Sequence, residues 1–400
     1  MRRIPRRRLL ASTLLVASVL APTTPASATP GHTAIAATGH HQDDHGHGGL
    51  GTELTARLDK AIAQVRRQAN IPGAIVGLWM PGKGSYVRAT GVANTATHQR
   101  MAVDSYVRIG SETKTFTVTA LLQLVDEHRV RLDDPIAKYL RGVPNGSRIT
   151  LRHLAEMRSG LFPYSSDPDF INELLSNPER SFTPQEVLAY GYKHDNTAAP
   201  GQQFQYSNTN LILLGQVIEK VTGHRLADVI HHRVLGPSHL NNTLFPRGAE
   251  FPMPHPRGYT DQTLSGDVAD ATDWNPSWGW AAGAMISDLH DLHHWAKTVA
   301  TGELLSRHTQ QERLKTLPTG FPGTTYGLGI LETNGWIGHN GSIPGYETVT
   351  VYLPEQKATL VVMINTDITV QGQEPSTLLA RAITQVVTPD HVYDGAVVEN

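Results

Sequence analysis

Three short stretches hold residue types that can do nucleophilic chemistry. The first is Ser111-Glu112-Thr113-Lys114. On a helix, residues three apart share a face, so the lysine amine comes within reach of the serine hydroxyl. A neutral amine can take the hydroxyl proton, and burial lowers an amine's pKa toward the range where this happens at neutral pH. Only one of the nine lysines has a serine three places before it. The second stretch is Tyr206-Ser207-Asn208. A tyrosine beside an ammonium group can relay protons, because its phenolate is stabilised there. Asn208 offers its amide to a substrate amide or to Lys114. The third is His339-Asn340-Gly341-Ser342, where a glycine lets a ligand approach the backbone closely. The backbone amides of Ser111 and Ser342 can then point at one carbonyl oxygen and form an oxyanion hole. Taken singly, each stretch also has a plain structural reading: a capping serine with a surface lysine, a helix-capping Ser/Asn turn, a chance H-x-G.

The surrounding pattern supplies elements to hold these residues. Leu54 to Arg67 carries Leu54, Leu58, Ala61, Ile62 and Val65 at helical spacing. Ala74–Trp79 and Ser85–Ala93 read as two strands joined by the turn Pro81-Gly82-Lys83-Gly84. Near the other end, Glu347–Leu353 and Ala358–Asn365 read as strands, and Thr377–Val387 as a closing helix. Between about Ser111 and Arg313 the pattern is mainly helical, with Pro/Gly-rich breaks. The spacing predicts an α+β fold: one antiparallel sheet built from both ends of the sequence, flanked by helices, with a mainly helical lobe inserted. Ser111 falls between the strand-like Tyr106–Ile109 and a long helix, and Asn208 just before another helical run, Leu211–Val221.

In this order and at these intervals, the three stretches resemble the signature set S-x-x-K, Y-x-N and K/H-x-G of the penicillin-recognising serine enzymes. The similarity extends over roughly residues 52–388 and includes Arg158-Ser159-Gly160-Leu161 and Ala282-Gly283-Ala284-Met285-Ile286-Ser287. Within that superfamily the chain looks most like the secreted serine-type D-alanyl-D-alanine carboxypeptidases, with class C β-lactamases, D-aminopeptidases and esterases as relatives. The resemblance implies a β-lactamase/transpeptidase-like fold and an acyl-enzyme on Ser111, with Lys114 and Tyr206 sharing the proton transfers. It also implies that Asn208 holds the substrate amide. His339 would tune the Lys114–Tyr206 pair and position the leaving group, while Asn340, Gly341 and Ser342 contact substrate and Trp278 and Phe162 line the pocket. The implied partners are peptidoglycan-type peptides ending in D-Ala, and β-lactams; no metal or cofactor is required. One departure bears on the substrate. The carboxypeptidases carry an arginine near Gly327-Leu328-Gly329-Ile330-Leu331-Glu332 for the terminal carboxylate, and this chain has none there. Losing such a charge-assisted pair costs roughly 1.5–3 kcal/mol. An esterase, D-aminopeptidase or β-lactamase on the same scaffold is therefore the alternative, and a non-catalytic binder of wall peptide the remaining one.

Composition agrees with an extracellular hydrolase and excludes several other classes. Residues 1–28 have five arginines before a short apolar stretch, Leu9–Leu20, and end on Ala26-Ser27-Ala28, the pattern of a cleaved export signal. Removing them shifts the formal charge from −2 to −7, which argues against nucleic acid as a partner. The chain has no cysteine, so thiol nucleophiles and disulfides are excluded. Residues 29–50 read as a Gly/His-rich linker, 51–388 as the hydrolase domain and 389–400 as a tail. The expected product is a secreted monomer with no membrane contact after signal cleavage.

Overall fold

Strands from early and late in the sequence meet in one sheet. The structure is a computed structural model and describes residues 49–395. Its main strands are β1 (Gly73–Met80), β2 (Gly84–Gly91), β3 (Leu317–Pro318), β4 (Thr324–Tyr326), β5 (Leu331–Thr333), β6 (Trp336–Ile343), β7 (Tyr346–Leu353) and β8 (Ala358–Ile364). They pair antiparallel in the order β2-β1-β8-β7-β6-β5-β4-β3. The junction between N- and C-terminal parts is β1 on β8, with Ala74 opposite Ile364. Helix α1 (Thr52–Gln68) buries Leu58 and Ile62. Helices then follow as α2 (Thr113–Asp126), α3 (Asn208–Thr222), α4 (Leu289–Thr301) and α5 (Pro375–Val387). α1 packs on α5, α5 packs on β7 and β8, and α4 packs on β6, β7 and β8. A sheet covered in this way needs apolar side chains on both faces, and every residue of β7 and β8 is buried.

α2 is the central helix. From Thr113 to Leu122 every residue is buried, so it has no solvent face and no amphipathic stripe. Its threonines are admitted because each hydroxyl has a partner. Thr115 Oγ1 accepts from Trp295 Nε1 (2.8 Å), Thr117 donates to the Ala281 carbonyl (2.8 Å), and Thr119 donates to the Thr115 carbonyl (2.6 Å).

The expected α+β arrangement is present, with differences at particular elements. Trp336–Ile343 is a full strand, although Gly338 and Gly341 break the apolar alternation that identifies strands in sequence. The strand expected at Tyr106–Ile109 is only Val107–Arg108, and it pairs with Ile286–Ser287 outside the main sheet. The domain boundaries are also wider than expected. Gly49 bridges to Ser85 and Leu50 is buried, so both belong to the fold and not to a linker. Residues 389–395 are not a loose tail: Tyr393 is fully buried, and the His391 carbonyl accepts from Trp336 Nε1 (2.7 Å). The export signal and the His-rich stretch lie outside the described residues. Among the described residues no helix is long and apolar enough to cross a membrane.

Candidate active site

Ser111 lies in a short 3₁₀ turn, Gly110–Glu112, that runs directly into α2. The turn needs glycine at 110, where φ is +49°, and it needs room. A Cβ on Gly110 would stand 2.7 Å from the Ser342 amide nitrogen, and a Cβ on Gly341 would stand 2.0 Å from the Ile109 carbonyl oxygen. The two glycines thus let β6 press against the serine turn and bring the Ser342 amide beside Ser111. Gly341 serves this close approach of two backbones; the expected approach of a ligand to Gly341 is not what occupies the space. Replacing Gly341 by alanine is expected to push β6 off the turn. The cost is about 1–3 kcal/mol of stability, as for other overpacked positions. Turnover should fall on the order of 100-fold, because the oxyanion geometry is lost with it. Urea unfolding and steady-state kinetics on the same preparation check both.

Three of the expected site side chains, Ser111, Tyr206 and Asn208, converge on Lys114. The amine is fully buried and donates to Asn208 Oδ1 (2.7 Å) and to the Ala282 carbonyl (2.9 Å), with Ser111 Oγ at 2.8 Å. The Tyr206 ring lies against it, with Nζ 4.8 Å from the ring centroid. Ser207 is the N-cap of α3 but makes no side-chain cap bond, so the stretch is more than a capping turn. Asn208, the first residue of α3, also donates through Nδ2 to Ser165 Oγ (3.4 Å). The 281–285 stretch is bound to α2 from the other side: Met285 N donates to Thr113 Oγ1 (3.1 Å) beside the two carbonyl contacts from Ala281 and Ala282.

Behind this cluster His339 is buried and neutral. Burial pushes its pKa down to about 3, and the charge that Lys114 carries when protonated pushes the same way. Nδ1 donates to the Asn340 carbonyl (2.5 Å), which leaves Nε2 to accept from the Tyr326 hydroxyl (3.0 Å). His339 packs against Tyr206, with ring centroids 6.1 Å apart, and is not among the residues lining the cavity, so any positioning of a leaving group would act through Tyr206.

Glu112, next to the nucleophile, is buried beside the Thr348 and Thr350 hydroxyls, and neither carboxyl oxygen makes a hydrogen bond of good geometry. Burial raises its pKa from 4.5 to about 8. The native state then holds a proton that the unfolded chain releases above pH 4.5. Stability drains away as pH rises from about 4.5 to 8, by roughly 1.4 kcal/mol per pH unit for this group. Glu112→Gln is expected to be progressively more stable than the parent from pH 5 to pH 8, with the gap closing near pH 4.5. Urea titrations across that range measure it.

The site opens into a cavity of about 530 Å³. Ser111, Tyr206, Asn208, Asn340, Ser342 and Trp278 line it. Phe162 does not. Its ring stacks on His194 at 3.8 Å, and its carbonyl accepts from Thr209 Oγ1 (2.8 Å). The apolar wall comes instead from a helix the sequence pattern did not single out, Pro168–Ser176, through Phe170, Ile171, Leu174 and Leu175. Among the described residues three acids also line the cavity, Glu347, Asp367 and Glu374, and no Lys, Arg or His does. Ile330 and Leu331 are core residues and Glu332 accepts from Thr325 and Gly335, so none of the three faces the cavity.

The family model described as Beta-lactamase matches residues 58–384. The chain belongs to the beta-lactamase family. It is similar to Protein flp of Staphylococcus aureus (strain N315), 26% identical over 329 residues, covering 79% of this chain and 64% of that protein. It is also similar to a D-aminopeptidase of Brucella anthropi, 29% identical over 317 residues, covering 77% of this chain and 59% of that protein. The chain thus spans less than two thirds of the length of these relatives. Among solved structures, a D-stereospecific amidohydrolase from Streptomyces sp. superposes with a TM-score of 0.75 at 30% identity, covering 84% of this chain and 99% of that one. No group of three or more His, Cys, Asp or Glu arranged to hold a metal occurs among the described residues.

Proposed function

We propose that this beta-lactamase-family hydrolase is an amidase of D-aminopeptidase type, acting on a small D-amino acid amide or peptide through an acyl-enzyme on Ser111. One observation carries the choice over a D-Ala-D-Ala carboxypeptidase. Among the described residues the cavity that holds Ser111 is lined by three acids and by no cationic side chain, Lys114 lying buried behind the serine, so it opposes a terminal carboxylate. The D-configuration rests on the names of the relatives.

In the proposed reaction Ser111 Oγ attacks the amide carbonyl carbon as its proton passes to neutral Lys114 Nζ. The amides of Ser111 and Ser342 take up the negative charge on the carbonyl oxygen. The Lys114–Tyr206 pair hands the proton to the departing nitrogen, the C–N bond breaks, and the acyl group remains on Ser111 as an ester. Water then attacks that ester, giving one proton to the same pair, which returns it to Ser111 Oγ as the acid leaves. The apolar wall of Phe170, Leu174 and Trp278 receives the acyl side chain.

The test is ammonia release from D-phenylalanine amide beside D-alanine release from diacetyl-L-Lys-D-Ala-D-Ala. Ammonia release that dominates and disappears with Ser111→Ala supports the reading. Faster D-alanine release returns the assignment to a carboxypeptidase. The apolar wall adds an expectation of its own. D-phenylalanine amide should exceed D-alanine amide in kcat/KM by roughly 10–100-fold, from the added apolar surface buried. Equal values would remove the wall from the acyl subsite. Export, read from residues 1–28, is part of the same proposal and places the substrate outside the cell.

A further inference from the structure

The acids of the cavity are not equivalent. Asp367 is satisfied: it accepts from the Gly345 amide (3.0 Å), from Thr260 Oγ1 (3.0 Å) and from Gln262 Nε2, and so fastens the turn between β6 and β7. Glu347 is not. It stands opposite Ser342 in the β6–β7 register and is 1% exposed. Its Oε2 accepts from the Ser376 amide at the start of α5 (2.9 Å) and the Ser376 hydroxyl lies beside the carboxyl, while Oε1 is buried with no hydrogen bond of good geometry, in a residue that lines the cavity. Glu374, the residue before α5, accepts from Asn340 Nδ2 (2.8 Å) and Thr377 Oγ1 (3.3 Å) through one oxygen. Asn340 and Ser342 are two apart on β6 and present to the same side, so both glutamates flank the strand that carries half of the oxyanion hole.

We propose that Glu347 and Glu374 form an acceptor site for a protonated primary amine of the substrate, and that this pair selects amine-bearing substrates for Ser111. This rests on the reading of the cavity as an acyl-transfer site. The chemistry follows from the unmatched oxygen. A buried carboxyl oxygen without a donor is costly to keep, and an ammonium group brings three donors and the opposite charge. Burial pushes Glu374 up to about 7; burial and the Glu374 charge hold Glu347 well above its ordinary value. The pair therefore holds a proton at neutral pH, and a bound ammonium takes that proton's place. A carboxylate at the same position would face the pair with like charge, in keeping with the cavity's lack of a cationic side chain.

The amine can belong to the acyl half, as an α-amino group, or to the leaving half. Three substrates separate these sources: D-phenylalanine p-nitroanilide, its N-acetyl derivative, and N-acetyl-D-phenylalanine 2-aminoethylamide. The readout is the ratio of kcat/KM for each amine-bearing substrate to that of its amine-free counterpart, N-acetyl-D-phenylalanine ethylamide serving for the third. A ratio of about 30 or more that collapses toward 1 in Glu347→Gln and Glu374→Gln supports the site, and the substrate showing the collapse names the source. A ratio near 1 in the parent, or one unchanged in both variants, overturns it. Because a variant can fail to fold, the parent is also titrated calorimetrically with 2-phenylethylamine and with 2-phenylethanol in two buffers of different ionisation enthalpy. Amine binding at least tenfold tighter, with proton release, supports the site; equal affinities overturn it. Repeating this with Ser111→Ala separates the two ideas, because amine selection there is independent of any acyl transfer.

Discussion

Replacing Ser111 by alanine is expected to lower kcat/KM for any amide or ester substrate by roughly 10⁵-fold, while stability changes by about 1 kcal/mol or less. The size follows from what remains. Without Oγ the site keeps the Ser111 and Ser342 amides and its binding surface, and in serine hydrolases such a remnant retains only a small residual acceleration. The chain has no cysteine to take over as nucleophile. The fold should hardly notice. Ser111 is only half-buried, the turn's geometry is set by Gly110, and Lys114 keeps its bonds to Asn208 and Ala282. Steady-state kinetics with p-nitrophenyl acetate and D-phenylalanine amide, run beside a thermal melt, measure both quantities. The parent should add one acyl group on Ser111 when quenched during turnover, and the variant none. Residual activity above about 1% in a homogeneous preparation would mean that bond cleavage proceeds through directly activated water, and the acyl-enzyme would have to be given up.

Much of this site is legible in the sequence because its chemistry is local. Ser111 and Lys114 are one helical turn apart, and Tyr206 and Asn208 two residues apart at a helix start, so spacing alone fixes each pair. Bringing the pairs together is a tertiary matter, supported by the resemblance to a known signature set and realised when α3 packs on α2. The sheet is legible where strands are continuous apolar runs, as in β1 and β8, because both faces are covered. The same double burial hides Glu347. In a strand with no solvent face the alternation of apolar and polar residues vanishes, and a glutamate among valines and threonines gives no sign of the side to which it points. β6 is hidden for the opposite reason, since its glycines exist to let backbones touch and carry no side-chain pattern. The absent arginine was visible, but its position was not informative. Ile330 and Leu331 sit in the core, and on the proposed reading what disfavours a carboxylate is Glu347 of β7, Asp367 and Glu374 just before α5.

Lys114→Met is expected to lower kcat by roughly 10³–10⁴-fold, with a much smaller effect on KM, and to destabilise the fold by about 2–4 kcal/mol. The kinetic part follows from position. Nζ is 2.8 Å from Ser111 Oγ, inside the distance a general base needs, and it is buried where water cannot take over its role. The stability part follows from what the methionine leaves behind. Asn208 Oδ1 and the Ala282 carbonyl would both be buried acceptors without a donor, each costing on the order of 1–3 kcal/mol, partly offset by no longer burying an amine. Lys114→Arg should restore little, because a planar guanidinium needs more room than a site closed by Tyr206, Asn208 and Ala282 provides. Pre-steady-state kinetics with a p-nitrophenyl ester decide which step suffers. Loss of the acylation burst means that Lys114 serves Oγ deprotonation. A preserved burst with slow turnover would confine Lys114 to deacylation and pass the first proton transfer to Tyr206, whose ring already lies against the amine.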